Sequence, residues 1–313
     1  MLIYCIRRVL STIPVMLFVA FFVFSLLYLA PGDPALIIAG DHASADDVAR
    51  IRQALGLDQP FLIRFWDWLL QVTRGDLGQS IFTNLPVAHM IGQRVGPTLS
   101  LMVLTMVLSV VIAVPIGVVA AWRRGSWVDH FVTAGAVFSF SVPVFVVGYL
   151  LAYVFAVQLG WLPVQGYTPL SAGILPFLGN LILPVLALSG VYIALIARIA
   201  RAAMIEVLTQ DYVRTARAKG LGQGAVLFVH SLKNAAVPII TVIGIGVALL
   251  IGGTVVTESV FAIPGLGRLT VDAILRRDYP VIQGIVLIFS ITYVLINLVV
   301  DILYTIFDPR IRY

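Results

Sequence analysis

The sequence predicts an all-α polytopic membrane protein of six transmembrane helices, with a long extracytoplasmic loop after the first. Three observations carry that prediction. Of 313 residues, 60% are hydrophobic and only 11% are charged, where a soluble domain carries roughly 25%, and the mean hydropathy is +1.04. Apolar runs of about twenty residues, the length that crosses a bilayer as a helix, recur along the chain. The basic residues gather on alternate connections, as they do when a membrane protein is oriented by its positive loops.

The first span is expected over about 9–30. Arg7 and Arg8 precede it, and its apolar run is too long for the core of a signal peptide and has no small-residue cleavage site, so it reads as retained. It ends in LAPGDPA, where Pro31, Gly32 and Pro34 stop the helix. Residues 35–97 are mostly polar. Ser44 and Asp47 resemble a capping box ahead of Val48, Ile51 and Leu55, with Gly56 as the stop. Asp58 and Pro60 open a second amphipathic helix, with Phe61, Phe65, Trp66, Leu69 and Leu70 at helical spacing. Trp66 and Trp68 suit a membrane interface. The chain is therefore divided into an N-terminal part, 1–93, a transmembrane domain, 94–307, and a tail, 308–313. Within the domain the spans are expected over about 98–122, 131–157, 180–203, 238–257 and 281–307.

Placing the N-terminus in the cytoplasm puts twelve basic and five acidic residues inside, and eight basic and ten acidic residues outside. The net charges are then +7 and −2, the asymmetry expected of this orientation. Both termini and residues 205–237 fall on the cytoplasmic side. The overall charge of +5 reflects loop placement rather than nucleic-acid binding.

Residues 205–237 stand out within that scheme. Between two spans lies IEVLTQDYVRTARAKGLGQGAVLFVHSLKNAAV. Asp211 is expected as an N-cap, its carboxylate accepting N–H groups of the next turn. Tyr212 to Lys219 reads as a short basic helix, and Gly220 as its left-handed stop. Ala216, Ala218 and Gly220 leave room for another surface to approach. A second helical stretch is expected over about 225–232. The plain alternative is a loop that only fixes topology.

Much chemistry is missing from the sequence. There is no GxxxxGK[ST] phosphate loop, so the chain itself is not expected to hydrolyse ATP. The four histidines (His42, His89, His130 and His230) are far apart, and the single Cys5 cannot build a thiolate site, so no metal site is expected. Ionisable residues at mid-membrane, the usual mark of ion coupling, are nearly lacking; Glu258 and Asp301 lie near span ends. An ion-driven carrier and a membrane enzyme are both disfavoured on these grounds. Ser139, Ser141, Ser189, Tyr192, Thr241 and Thr254 are singled out among the polar residues within spans. They could line a solute pathway, although helix–helix hydrogen bonding is the more ordinary use of each.

Taken together, the motifs resemble the ABC importer permeases of the dipeptide/oligopeptide class, a family that also carries nickel and glutathione. DYVRTARAKGL followed by HSLKNA is similar to the family's cytoplasmic EAA loop. The pattern's opening residues fall on Arg214, Thr215 and Ala216, its glycine on Gly220, and its later Ile-x-Leu-Pro on His230, Ser231, Leu232 and Lys233, so its Glu, Ile and Pro are replaced. LAPGDPA, LGLDQP, GDLGQS, GWLPVQGY, VFAIPGLGRL, RRDYP and DPRIRY extend the resemblance over essentially the whole chain. It implies a type I importer fold in a bacterial inner membrane and a second, homologous permease subunit. It also implies two cytoplasmic ATPases that bind ATP and Mg, and an extracytoplasmic solute-binding protein. The coupling residues it implies are Asp211, Tyr212, Arg214, Thr215, Ala216, Arg217, Ala218, Lys219, Gly220, His230, Leu232 and Asn234.

Overall fold

The structure, a computed structural model, describes residues 2–29, 35–36, 44–54 and 57–307. Among these residues it is helical throughout. The helices are α1 (Leu2–Leu29), α2 (Ala45–Ala54), α3 (Phe61–Thr73), α4 (Val87–Trp122), α5 (Trp127–Ser141), α6 (Val144–Leu151, continued by a π turn over Ala152–Gln158), α7 (Ile174–Leu208), α8 (Asp211–Ala218), α9 (Leu232–Asn234, preceded by a π turn over Ala225–Ser231), α10 (Ala236–Val260), α11 (Leu266–Arg276) and α12 (Tyr279–Phe307). Four of them, α4, α7, α10 and α12, are long and apolar enough to cross a membrane, and α5 with α6 makes a fifth if the pair is one crossing. The apolar stretch described in α1, Leu10–Ser25, is shorter than a span. The described residues thus support four or five crossings, where the sequence led us to expect six.

Two elements differ in kind from expectation. The span expected over 131–157 is broken, its halves meeting at 97°. Pro143 explains the break: it has no N–H to continue the ladder of α5 and instead opens α6 at its N-cap, with Val146 N–H donating to its carbonyl. The helix expected over 180–203 runs from Ile174 to Leu208 with Pro184 inside it. Neighbouring helices cover Pro184 completely enough to bury it, which is how a proline is tolerated within a packed membrane bundle.

The described residues form two compact units, one built on Val95–Arg268 with 2–5 and 295–307, the other on Ile6–Arg94 with Leu269–Val294. In the first, α7 is the centre. Its Leu181, Leu183, Leu188 and Ile196 pack with Leu101, Met102 and Met106 of α4 and Val242 and Leu250 of α10. Lower on the same helix, Ala200, Ala203 and Met204 meet Val118 and Ala121 of α4, Leu227, Ala235 and Ile239. Gly117 of α4 lets the backbones touch, since a Cβ there would lie 2.8 Å from the carbonyl oxygen of Ala197. Small residues in close contact are what hold helices together where the hydrophobic effect cannot.

In the second unit, α3 lies on α1. Phe65 is buried with Ala20, Val23 and Phe24, and Phe61, Trp68 and Leu69 pack around them. The apolar face of α3 is therefore set by Phe61, Phe65, Trp68 and Leu69. Trp66 and Leu70, expected on that face, are exposed. Ahead of α4, the loop carrying GDLGQS is tied to RRDYP: Ser80 Oγ donates to Asp278 Oδ2 (2.5 Å), and Ile81 N–H to Asp278 Oδ1 (3.2 Å).

Candidate functional site

The stretch from Leu208 to Ala236 begins where α7 stops. Thr209 Oγ1 donates to the Glu206 carbonyl at 2.7 Å, and the backbone breaks for only two residues. Gln210, with φ −73° and ψ 148°, is the N-cap of α8, and its side chain makes no capping bond. This corrects the expectation for Asp211, which is the first residue inside the helix. A two-residue break gives the extended N-cap conformation to Gln210 and leaves Asp211 one position too far along. Its carboxylate still favours the positive helix end, and it lies 3.5 Å from the Arg214 guanidinium, with both side chains almost fully exposed.

The far end of α8 matches expectation. Gly220 has φ +79°. Its N–H donates to the Arg217 carbonyl (2.9 Å) and the Leu221 N–H to the Ala216 carbonyl (3.3 Å), the two bonds of a Schellman closure. Among the described residues, and apart from its chain neighbours, nothing lies within 4 Å of where a Cβ would sit on Gly220.

Only Val213 and Ala216 of α8 are buried, packed with Val226 and Leu208. Arg214, Thr215, Arg217, Ala218, Lys219 and Gly220 are exposed. Asn234 hydrogen-bonds the Tyr212 phenol, which ties α8 to α9; burial nonetheless raises the phenol above its ordinary value. Asn234 also donates to the His230 carbonyl at 2.8 Å. His230 is exposed, and Leu232 is half-buried. The structure thus brings Asp211 to Gly220 together with His230, Leu232 and Asn234 as one compact element. That element is seated on the end of α7 and the start of α10, and its basic face is open.

The six polar span residues differ in burial. Ser189, Tyr192 and Thr254 are buried in the core, whereas Ser141 is exposed and Ser139 and Thr241 are half-buried. The hydroxyls of Ser141, Thr241 and Thr254 donate to carbonyls three or four residues back on their own helices. Ser189 reaches the Thr105 carbonyl at 3.5 Å, and Tyr192 packs against Gly246 and Gly253.

Two charged groups that the sequence showed only as topology markers have specific partners. Arg201 of α7 forms a paired contact with Asp129 of α5, Nη2 to Oδ2 at 2.7 Å and Nε to Oδ1. The Gly125 N–H also donates to that carboxylate at 3.0 Å. Glu258, near the end of α10, is wholly buried. An acid next to a helix end is the visible signal for both residues; the partners, 72 and 160 residues away, are not visible in sequence. Among the described residues, no group of three or more His, Cys, Asp or Glu is placed to hold a metal ion.

Comparison with known proteins places these features in context. A family model described as "Binding-protein-dependent transport system inner membrane component" matches residues 113–313, and the model of its N-terminal part matches residues 1–102. The chain is 55% identical over 311 residues, 99% of each sequence, to a probable peptide ABC transporter permease of Sinorhizobium fredii. It is 48% identical over 307 residues, 98% of each, to a putative peptide transport system permease of Brucella abortus. It is 44% identical over 313 residues, the whole of both, to the glutathione transport system permease GsiC of Salmonella typhimurium. In fold it is similar to a chain of the MetNI methionine ABC transporter in inward facing conformations. The TM-score there is 0.59, covering 70% of this chain and 96% of that one, at 19% identity.

Proposed function

We propose, from the premise that this chain belongs to the family of binding-protein-dependent transport system inner membrane components and is an ABC importer permease subunit, that it carries peptides and is driven through α8. Its energy source is a pair of cytoplasmic ATPases that bind ATP and Mg. A homologous permease completes the pathway, and an extracytoplasmic binding protein delivers the cargo. On this reading the termini and residues 205–237 face the cytoplasm of a bacterial cell.

The observation that carries the coupling role is the placement of α8. Two buried residues, Val213 and Ala216, anchor it to Leu208 at the end of α7 and to Val226 of the π turn ahead of α9, and its remaining side chains are offered outward. A helix held this way moves with the span ends when a partner grips its free face. The sequence contains no phosphate loop, so the energy must enter from outside the chain.

The peptide cargo is supported by relatives named as peptide permeases at 55% and 48% identity over nearly full length. A glutathione cargo is favoured by the full-length match at 44% identity, and glutathione is itself a short peptide with one unusual linkage. The test is uptake into vesicles holding the complete importer, supplied with ATP inside and the binding protein outside. Labelled di- and oligopeptides should enter, and excess unlabelled peptide should compete. Uptake of glutathione alone, unaffected by peptides, would transfer the assignment to glutathione. ATP-independent uptake driven by an ion gradient would overturn the importer mechanism.

A further inference from the structure

Helix α10 is unbroken for 25 residues, about 37 Å at the helical rise. At its start, Ala235 and Ile239 lie in the same cluster as Leu227 of the π turn that supports α8. At its other end is Glu258, with no exposed surface. Each oxygen of that carboxylate accepts a hydrogen bond. Thr98 Oγ1 donates to Oε1 at 2.6 Å, and the Arg268 N–H donates to Oε2 at 2.9 Å. The Thr98 hydroxyl in turn accepts the Leu266 N–H at 2.8 Å. The carboxylate therefore occupies the positive end of α11, where unpaired backbone N–H groups are met by an anion.

The socket admits no larger backbone. A Cβ on Gly265 would lie 2.2 Å from Glu258 Cδ, and one on Gly267 would lie 2.5 Å from Val255 Cα. Gly265 is thus accounted for by the Glu258 carboxylate, and Gly267 first by the Val255 backbone and then by the same carboxylate. Three elements meet there: the end of α10, the first turn of α11, and α4 at Thr98.

We infer that Glu258 is a positioning residue for transport, the link by which displacement of α10 is delivered to the start of α11 and to α4. The inference rests on the reading that α8 receives the ATPase movement, because α10 begins beside the support of α8. A purely apolar contact could slide as α10 moves. A carboxylate held by two directional bonds, one of them relayed through Thr98, keeps the three elements in register during the stroke.

The test uses the complete importer in vesicles. ATP hydrolysis and uptake are measured on the same preparation, and ATPase recruitment is measured by pull-down. Glu258→Gln keeps the shape but sets an amide N–H₂ against a backbone or hydroxyl donor. Thr98→Val removes only the hydroxyl, and Thr98→Ser restores it. Glu258→Gln and Thr98→Val should assemble and hydrolyse ATP at near-parental rates, while uptake per ATP falls by about ten-fold or more, the factor one lost hydrogen bond to a charged group commands. Thr98→Ser should recover most of that loss. Unchanged uptake per ATP in Glu258→Gln overturns the inference. So does failure of both Glu258→Gln and Thr98→Val to assemble, which would make the socket a folding staple alone. Gly220→Val separates the two readings: if it loses uptake while Glu258→Gln does not, only the inference drawn here is wrong, and if it transports normally, the role of α8 is wrong.

Discussion

Gly220 allows strain and partner contact to be separated by choice of substituent. Its φ of +79° disfavours any residue with a Cβ, and a β-branched one most, at a cost of about 1–2 kcal/mol. Among the described residues, and apart from its chain neighbours, nothing lies within 4 Å of the position a Cβ would take, so the Cβ itself adds conformational strain and no clash. That amount weakens the last turn of α8 but leaves the core around α7 untouched, and membrane insertion should stay normal. Asn tolerates the left-handed region, so Gly220→Asn removes most of the strain while adding bulk. If an ATPase packs against this position, Gly220→Val and Gly220→Asn should both abolish uptake in the reconstituted importer, and Gly220→Ala should retain part of it. If only the Schellman closure matters, Asn should transport nearly as well as Gly. The assay is initial uptake rate at matched protein levels, with pull-down of the ATPases. Parental transport by Gly220→Val, with normal assembly, would refute the reasoning outright.

Two further outcomes are expected. In a Cys5→Ser background, an impermeant thiol reagent should label cysteines placed at Ser44 and Gln165 in intact cells but not one at Gln223; the reverse pattern for Gln165 and Gln223 would invert the orientation. Asp129→Asn should lower the stability of the purified chain by about 1–3 kcal/mol, less than for a fully buried pair because the Arg201 side chain is 28% exposed. Read by thermal unfolding in detergent, an unchanged Tm would show that the pair contributes nothing to the fold.

Sequence and structure agree where the signal is local. Gly220 is a left-handed stop because few other residues accept that backbone, and the sequence says so unaided. Ala216 is the exception on that helix: expected with Ala218 and Gly220 to leave room for another surface, it is instead buried with Val213 against Val226 and Leu208, because the two apolar positions one turn apart seat the helix. Agreement fails where a long-range partner decides. Arg198 and Arg201 look like the place where a span leaves the membrane. The helix itself continues beyond them to Leu208, and both have partners the sequence does not show: Asp129 pairs with Arg201, and the Arg198 guanidinium lies over the Phe140 ring at 5.6 Å. The N-cap of α8 falls one residue before Asp211, on Gln210, whose side chain makes no capping bond; the two-residue break after α7, and not side-chain capping preference, sets its position. The Glu258 socket was invisible, since Thr98 belongs to a different helix far earlier in the chain.

The break at Pro143 has a mechanical consequence. The arm from Trp127 to Ser141 is fastened to α7 by Asp129 and Arg201, and the arm beyond Pro143 is seated by Gly148, where a Cβ would lie 3.2 Å from the Phe261 ring. A straight helix carries twist and thrust from one end to the other. An elbow of 97° carries them less directly, because the ladder of hydrogen bonds is interrupted at the corner. If α8 couples to an ATPase as proposed, thrust passes more directly along the uninterrupted α10 than around the corner between α5 and α6. One protein thus holds a stiff route and a compliant route side by side, and the position of a single proline decides which is which.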